Sequence, residues 1–396
     1  MIAALDDLVV TEPGFFLRDD YYDTLAWLRA TAPAHRLRDG MWLISRYEDI
    51  RAISRQPDLF SSRHGAIIND PLRAAEPNDE AGSLIHLDPP IHADYRKVLN
   101  RRFTPRSVGS YEAAIRAEAD RAFSGLSVGD EIDAVEQIAS PVPVAVIAEL
   151  LGISDGDRSD FRRWSEAIIE ISDNPGDASV AAAAAELFVF LDEHVRARAA
   201  QPAEDLISTI LGVEVGGAPM THEQVMMFCL TLLVAGNETT RSLLSGAIEV
   251  LADHPDQRAA LAEDPALLPN AIEECLRWVT PIQSFCRTTT QPVEVGGAAI
   301  PVGAYLVMLY ASGNRDETVF GPTANQFDIT RPVSPAHVAF GFGEHLCLGA
   351  SLARLEAKIV LEQLLRRFPN YEVTGEPTHV RSTLTRSIAT LPVRLG

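Results

Sequence analysis

Apolar positions recur three and four residues apart along most of the chain, and short alternating apolar runs take over near its end. The first period predicts helices at 20–32, 47–55, 110–126, 132–151, 156–173 and 178–199, with another opening at Asp88-Pro89-Pro90. Asn174-Pro175-Gly176-Asp177 breaks two of these, and Gly152 stops a third. A hairpin is predicted from 34–37 and 41–45, turning at Asp39-Gly40. Residues 202–217 read as a weak helix and a glycine-rich turn. Thr221 and Gln224 form a capping box for a helix running to about residue 251, longer than most globular helices. A helix over 265–279 follows. The alternating runs are 285–290, 293–295, 299–300 and 305–310, then a helix over 350–368 and a β-like tail over 371–395. Residues 60–83 are rich in Asp, Pro, Asn and Gly and read as a long irregular segment. The fold class is mainly α with small β-sheets. With no internal repeat and no flexible linker, a single domain over 1–396 is expected.

Two places break the pattern. The first is Ala235-Gly236-Asn237-Glu238-Thr239-Thr240, in the middle of the long helix. Glycine inside a helix costs about 1 kcal/mol relative to alanine. An unpaired buried carboxylate costs several. Ala235, Glu238 and Thr239 are three and four apart and share a face, and the Thr239 hydroxyl can bond back to the Ala235 carbonyl. A polar seam, or two helices joined at Gly236-Asn237, would read the same. The second is Cys347, in a loop with Gly341, Gly343 and Gly349, directly before the 350–368 helix. A helix N-terminus favours a thiolate; glycines let backbone approach a flat ligand. A buried cysteine in a turn is the plainer alternative. His92 and Arg96, four apart, make an anion clamp or a solvated basic face, and Glu274-x-x-Arg277 is a common helical ion-pair spacing.

Charge and cysteine usage narrow the function. The 396-residue chain carries 34 basic and 55 acidic side chains, a net −21, which disfavours nucleic acid and anionic membrane surfaces. Cys229, Cys275, Cys286 and Cys347 include no CxxC pair, which fits a reducing cytoplasm. The N-terminus lacks the basic region of a signal peptide. The longest apolar run, about 225–236, falls short of the roughly 20 residues that span a bilayer. A soluble, cytoplasmic, monomeric protein is expected.

Ala235-Gly236-x-Glu238-Thr239-Thr240, Glu274-x-x-Arg277, the 327–331 stretch and Phe340-Gly-x-Gly-x-His345-x-Cys347-x-Gly349 occur in that order. Together they resemble the bacterial cytochrome P450 family over essentially the whole chain. The resemblance implies the P450 fold, in which a long central helix (the family's I helix) lies over haem b and the cysteine loop precedes the L helix. It implies that Cys347 is the axial ligand of the haem iron. His92, Arg96, Arg287 and His345 match propionate-binding positions. Phe340, Gly341, Gly349 and Ala235 join them around the cofactor, with Phe342 packing near the ligand. Glu274, Arg277 and Arg331 match a structural salt-bridge triad that holds the cysteine loop. Glu238 and Thr239 match the acid–alcohol pair that delivers protons during oxygen activation. Retaining both favours O2-dependent hydroxylation of a hydrophobic molecule: a terpenoid, steroid, fatty acyl chain or aromatic. Electrons would come from a ferredoxin and ferredoxin reductase rather than a fused domain, docking near Arg101, Arg102 and Arg106. Pocket walls would include Ile67, Ile68, Thr231, Val234, Ala235, Gln283, Phe285, Leu384 and Thr385. Peroxide-driven or nitric-oxide-reducing chemistry, or non-enzymatic haem or ligand binding, are the alternatives.

Overall fold

The capping box forms as the sequence predicts. Thr221 accepts the Gln224 N–H at 3.2 Å, and the Gln224 side chain accepts the Thr221 N–H at 2.9 Å. From it runs one unbroken helix, His222–Asp253 (32 residues). A computed structural model describes residues 8–74, 83–170, 177–215 and 217–396.

The long helix is apolar on several sides because it is packed on several sides. Pro141–Leu151, Leu268–Val279 and Ala350–Arg367 all lie against it, and their buried side chains merge into the main core. Gly236 has a packing reason. A Cβ there would stand 2.5 Å from Cδ1 of Ile147, so glycine lets the Pro141–Leu151 helix approach closely.

A smaller β region flanks the helical core. Its five-stranded sheet has the order Ala34–Arg36, Trp42–Ile44, Tyr305–Leu309, Ser284–Thr289, Phe60–Ser61. The predicted hairpin pairs Ala34 with Ile44, and Trp42 then pairs in parallel with Leu306. One sheet thus joins the N-terminal quarter to strands more than 200 residues later.

Several expectations change. The helix predicted over 132–151 begins as a strand, Glu131–Asp133, continues as a wide turn over Val135–Ala139, and becomes α-helical only at Pro141. Proline lacks an N–H and suits a helix start, so one helix cannot run through it. The strand forms because its partner, Pro392–Arg394, comes from the far end of the chain. The segment expected to be irregular contains the strand Phe60–Ser61 and a short turn, Pro71–Ala74; residues 75–82 of it lie outside the described residues. The helix predicted over 156–173 is described as Arg158–Glu170, and the break at Asn174-Pro175-Gly176 lies outside the described residues. A helix at Pro255–Glu263 was not anticipated. Among the described residues no helix is long and apolar enough to cross a membrane.

Candidate active site

The cysteine loop is shaped by its glycines. Gly341 and Gly343 have φ of 70° and 72°, in the left-handed region that side chains disfavour. A Cβ on Gly343 would also overlap the Ser54 carbonyl, because the loop crosses the end of the Tyr47–Ser54 helix. The Cys347 N–H donates to the Phe340 carbonyl at 2.8 Å and closes the loop. Arg96 donates to the Leu346 carbonyl at 2.8 Å, tying the Ile91–Leu99 helix to the same loop.

Cys347 differs from the other three cysteines. Cys229, Cys275 and Cys286 are buried, and burial pushes the thiols of Cys229 and Cys286 up to about 12 and that of Cys275 higher still. Cys347 is exposed, yet its surroundings still desolvate the thiol and raise it, as for a group on the wall of an internal cleft. The Gly349 N–H and the guanidiniums of Arg96 and Arg354 oppose that rise and favour the thiolate.

Four basic side chains converge beside the loop. The His92 and His345 rings are 4.3 Å apart. Burial, then Arg96 and Arg287, lower His92 to about 4. Burial, Arg287 and His92 take His345 well below its usual value. Arg287 is buried and donates to the Cys286 carbonyl at 2.6 Å. Ser62 Oγ lies 3.2 Å from His345 Nε2. The nearby Glu344 is pushed up to about 7, by burial first and then by Asp88. His92 Nε2 is buried and finds no hydrogen-bond partner among the described residues. Two guanidiniums beside two imidazoles kept neutral by burial, one of them with an unpartnered ring nitrogen, fit a ligand bearing carboxylates. An accessible thiol beside them fits a soft metal ligand.

The central helix presents its own accessible stretch. Val234 is 37% exposed, Ala235 is exposed and Thr239 is half-buried, although Leu233, Asn237, Glu238 and Thr240 around them are buried. Thr239 Oγ1 donates to the Ala235 carbonyl at 2.5 Å, as its spacing predicts. Glu238 does not stay with them. Its Oε2 pairs with Arg241 at 2.5 Å, while its Oε1 and the Asn237 Oδ1 are buried with no partner among the described residues. Arg241 went unnoticed in the sequence, although Glu238-x-x-Arg241 repeats the spacing of Glu274-x-x-Arg277.

Glu274, Arg277 and Arg331 do meet. Arg277 grips both Glu274 oxygens at 2.7 Å, and Arg331 reaches Glu274 at 3.2 Å. The carbonyls they bind belong to Asn314, Phe320, Thr323, Ala324 and Gln326. The triad therefore grips the 314–331 stretch that precedes the cysteine loop, not the loop itself. Phe342 lies under Arg51 (4.3 Å) and Arg55 (4.6 Å). Phe340 lies under Arg354 (4.6 Å), itself fixed by Glu273 at 2.6 and 2.8 Å, a support the sequence did not reveal.

The expected pocket residues divide. Ile67, Thr231, Val234, Phe285 and Leu384 retain accessible surface. Thr231 returns its hydroxyl to the Met227 carbonyl. Ile68 is a core residue, 1% exposed and packed in the cluster with Phe15, Leu43 and Cys286. Thr385 is buried, and Gln283 is completely buried, with its amide turned inward; its neighbour Ile282 keeps accessible surface instead.

Residues 178–392 match the family description Cytochrome P450. A steroid C26-monooxygenase of Mycobacterium tuberculosis is 35% identical over 374 residues, covering 93% of this chain and 92% of its own. Linalool 8-monooxygenase of Pseudomonas putida is 33% identical over 399 residues, covering 97% of each. The solved structure of cytochrome P450 CYP109Q5 from Chondromyces apiculatus matches with a TM-score of 0.85 and 37% identity, over 98% of this chain and 97% of that one. The likeness runs nearly end to end; the chain belongs to the cytochrome P450 family, as a monooxygenase whose cofactor is haem b.

Proposed function

We propose that this P450 hydroxylates a hydrophobic small molecule of steroid or terpenoid size, as a single haem domain fed with two electrons by a separate ferredoxin and its reductase. The observation that carries the reading is the accessible Ala235–Thr239 step on the central helix, with an unsatisfied Glu238 oxygen next to it. A hydroxyl and an acid at that point of the helix can supply the protons that oxygen activation consumes.

Cys347 would hold the iron through sulfur, and His92, Arg96, Arg287 and His345 would hold the propionates. Haem, when bound, supplies the iron at which O2 is reduced and cleaved. Thr239 holds a water at Oγ1 when it exchanges the Ala235 carbonyl for it. Glu238 takes protons at Oε1, while Arg241 steadies Oε2. Ile67, Val234, Ile282, Phe285 and Leu384 offer apolar surface for substrate and exclude water. The relatives named for steroid and linalool oxidation support an apolar substrate. Arg101 and Arg106 are exposed and suit an acidic electron carrier; Arg102 is engaged with Thr209 at 2.7 Å.

The test is product formation from a steroid and terpene panel. Turnover should require O2 with a ferredoxin and reductase; turnover with peroxide alone and none with O2 and reductase would overturn the reading. Cys347→Ser should abolish the long-wavelength Soret band of the reduced carbon-monoxide complex. Thr239→Ala should keep consuming reductant while product per electron falls by about tenfold or more.

A further inference from the structure

Gln283 is completely buried, and its polar groups have partners in several separate parts of the fold. Its Oε1 accepts from the Tyr21 hydroxyl at 3.0 Å, 262 residues away in sequence. Its Nε2 donates to the Thr280 carbonyl at 2.5 Å. Its backbone N–H donates to Leu384 and its carbonyl accepts from Tyr310, both at 2.9 Å. Just before it, Ile282 bridges Thr385 and the Arg386 N–H reaches the Pro281 carbonyl. One residue thus ties two apolar stretches, around 282–285 and 384–385, to each other and to the N-terminal helix Tyr21–Thr31.

The turn it clamps is strained. Thr280, at φ 46°, is the single non-glycine with positive φ among the described residues. It is held there by the Gln283 amide and by Asn314, which donates to its hydroxyl at 2.9 Å. Strain of this kind persists only where the surroundings over-determine it, and it clusters at functional positions. Thr280 lies between the helix of the Glu274 triad and the 282–285 stretch, so its conformation sets the direction in which that stretch leaves. Tyr21 is equally fixed, 1% exposed with the Phe15 and Phe16 rings at 5.7 and 5.6 Å.

We infer that Tyr21 and Gln283 are positioning residues that set where the 282–285 wall stands over the substrate space, and so which molecules fit. The inference rests on the proposed reading of Ile282 and Phe285 as pocket wall.

The experiment titrates haem-loaded ferric protein with imidazole and with 4-phenylimidazole and follows the Soret shift. Both bind through the same nitrogen, but only the larger one meets the walls. Tyr21→Phe keeps the ring and leaves Gln283 Oε1 buried and unpaired. In Tyr21→Phe and in Gln283→Met, the Kd for 4-phenylimidazole should change by about fivefold and that for imidazole by less than about twofold. An unchanged ratio of the two constants, or an equal change in both, would overturn the inference. Phe285→Ala separates the two failures. If it moves the ratio and Tyr21→Phe does not, only the positioning role falls; if it leaves the ratio unchanged, the wall reading falls and the inference with it. Should Gln283→Met not fold, Tyr21→Phe decides alone.

Discussion

Among the helical Glu-x-x-Arg spacings of this protein, two whose glutamates are buried have different outcomes. Glu274 and Arg277 are both 2% exposed by side chain and fully served: two arginines and the Asp328 N–H on the carboxylate, three carbonyls on the Arg277 guanidinium. Glu238 and Arg241 pair at 2.5 Å but stay incomplete, with Glu238 Oε1 and Arg241 Nε buried and unpartnered among the described residues. The first is a joint that holds one arrangement. The second has hydrogen-bonding capacity left over, which proton transfer needs. Glu356 extends the series to no arginine at all: Ile359 stands three residues on, Oε2 has no partner among the described residues, and burial alone pushes the carboxyl up to about 8.

Breaking the saturated pair should have the largest effect. Arg277→Ala leaves a buried carboxylate short of its bidentate partner and frees three carbonyls, and should destabilise the fold by about 3–5 kcal/mol in denaturant titration. A loss under about 1 kcal/mol would remove the contrast.

Glu356→Gln should act in the opposite direction. A carboxyl raised in the folded state favours folding fully below its unfolded value near 4.5, and that advantage fades as pH rises towards about 8. Wild-type stability should therefore fall more steeply across this window than that of the variant, with the variant ahead by on the order of 2 kcal/mol at pH 7. Parallel stability curves for the two proteins would contradict this.

Arg241→Met leaves the buried Glu238 carboxylate without its one partner among the described residues and should cost about 1–2 kcal/mol, less than Arg277→Ala because Arg241 is partly exposed and makes a single contact. Its signature should lie in turnover: a changed solvent isotope effect and pH profile, restored in part by Arg241→Lys. A stability loss matching that of Arg277→Ala would make both pairs structural joints.

The smallest effect concerns Glu273. Burial would raise it, but Arg354 and His337 outweigh burial and hold it at about 2. Its contribution is present above the unfolded value near 4.5 and lost as pH falls towards about 2, so Glu273→Gln should be less stable than wild type at neutral pH, by about 1 kcal/mol after solvent screening, and that difference should vanish as pH falls through this window, flattening the acid limb.

Much of this was legible in the sequence because it is local. The capping box, the Thr239-to-Ala235 bond and the Glu274–Arg277 pair depend on residues three or four apart, and helical geometry alone brings those together. The glycines of the cysteine loop announce a backbone that needs them, and the apolar periods show where the helices run. The strand Glu131–Asp133 was not legible, because its partner lies more than 250 residues away. Neither was the inward turn of Gln283, which only its buried partners select. Ile68 could have been wall or core, and its neighbours made it core.

By itself, then, the chain determined which residue types stand at each helical turn, and through them the thiol, the acid–alcohol step and the family. Tertiary structure alone decided which of two identical Glu-x-x-Arg spacings became a closed joint. Spacing sets who can meet along one helix, but saturation requires donors and acceptors delivered from elsewhere in the fold. The 314–331 stretch brings them to Glu274 and Arg277, whereas Glu238 keeps one carboxylate oxygen without such a partner.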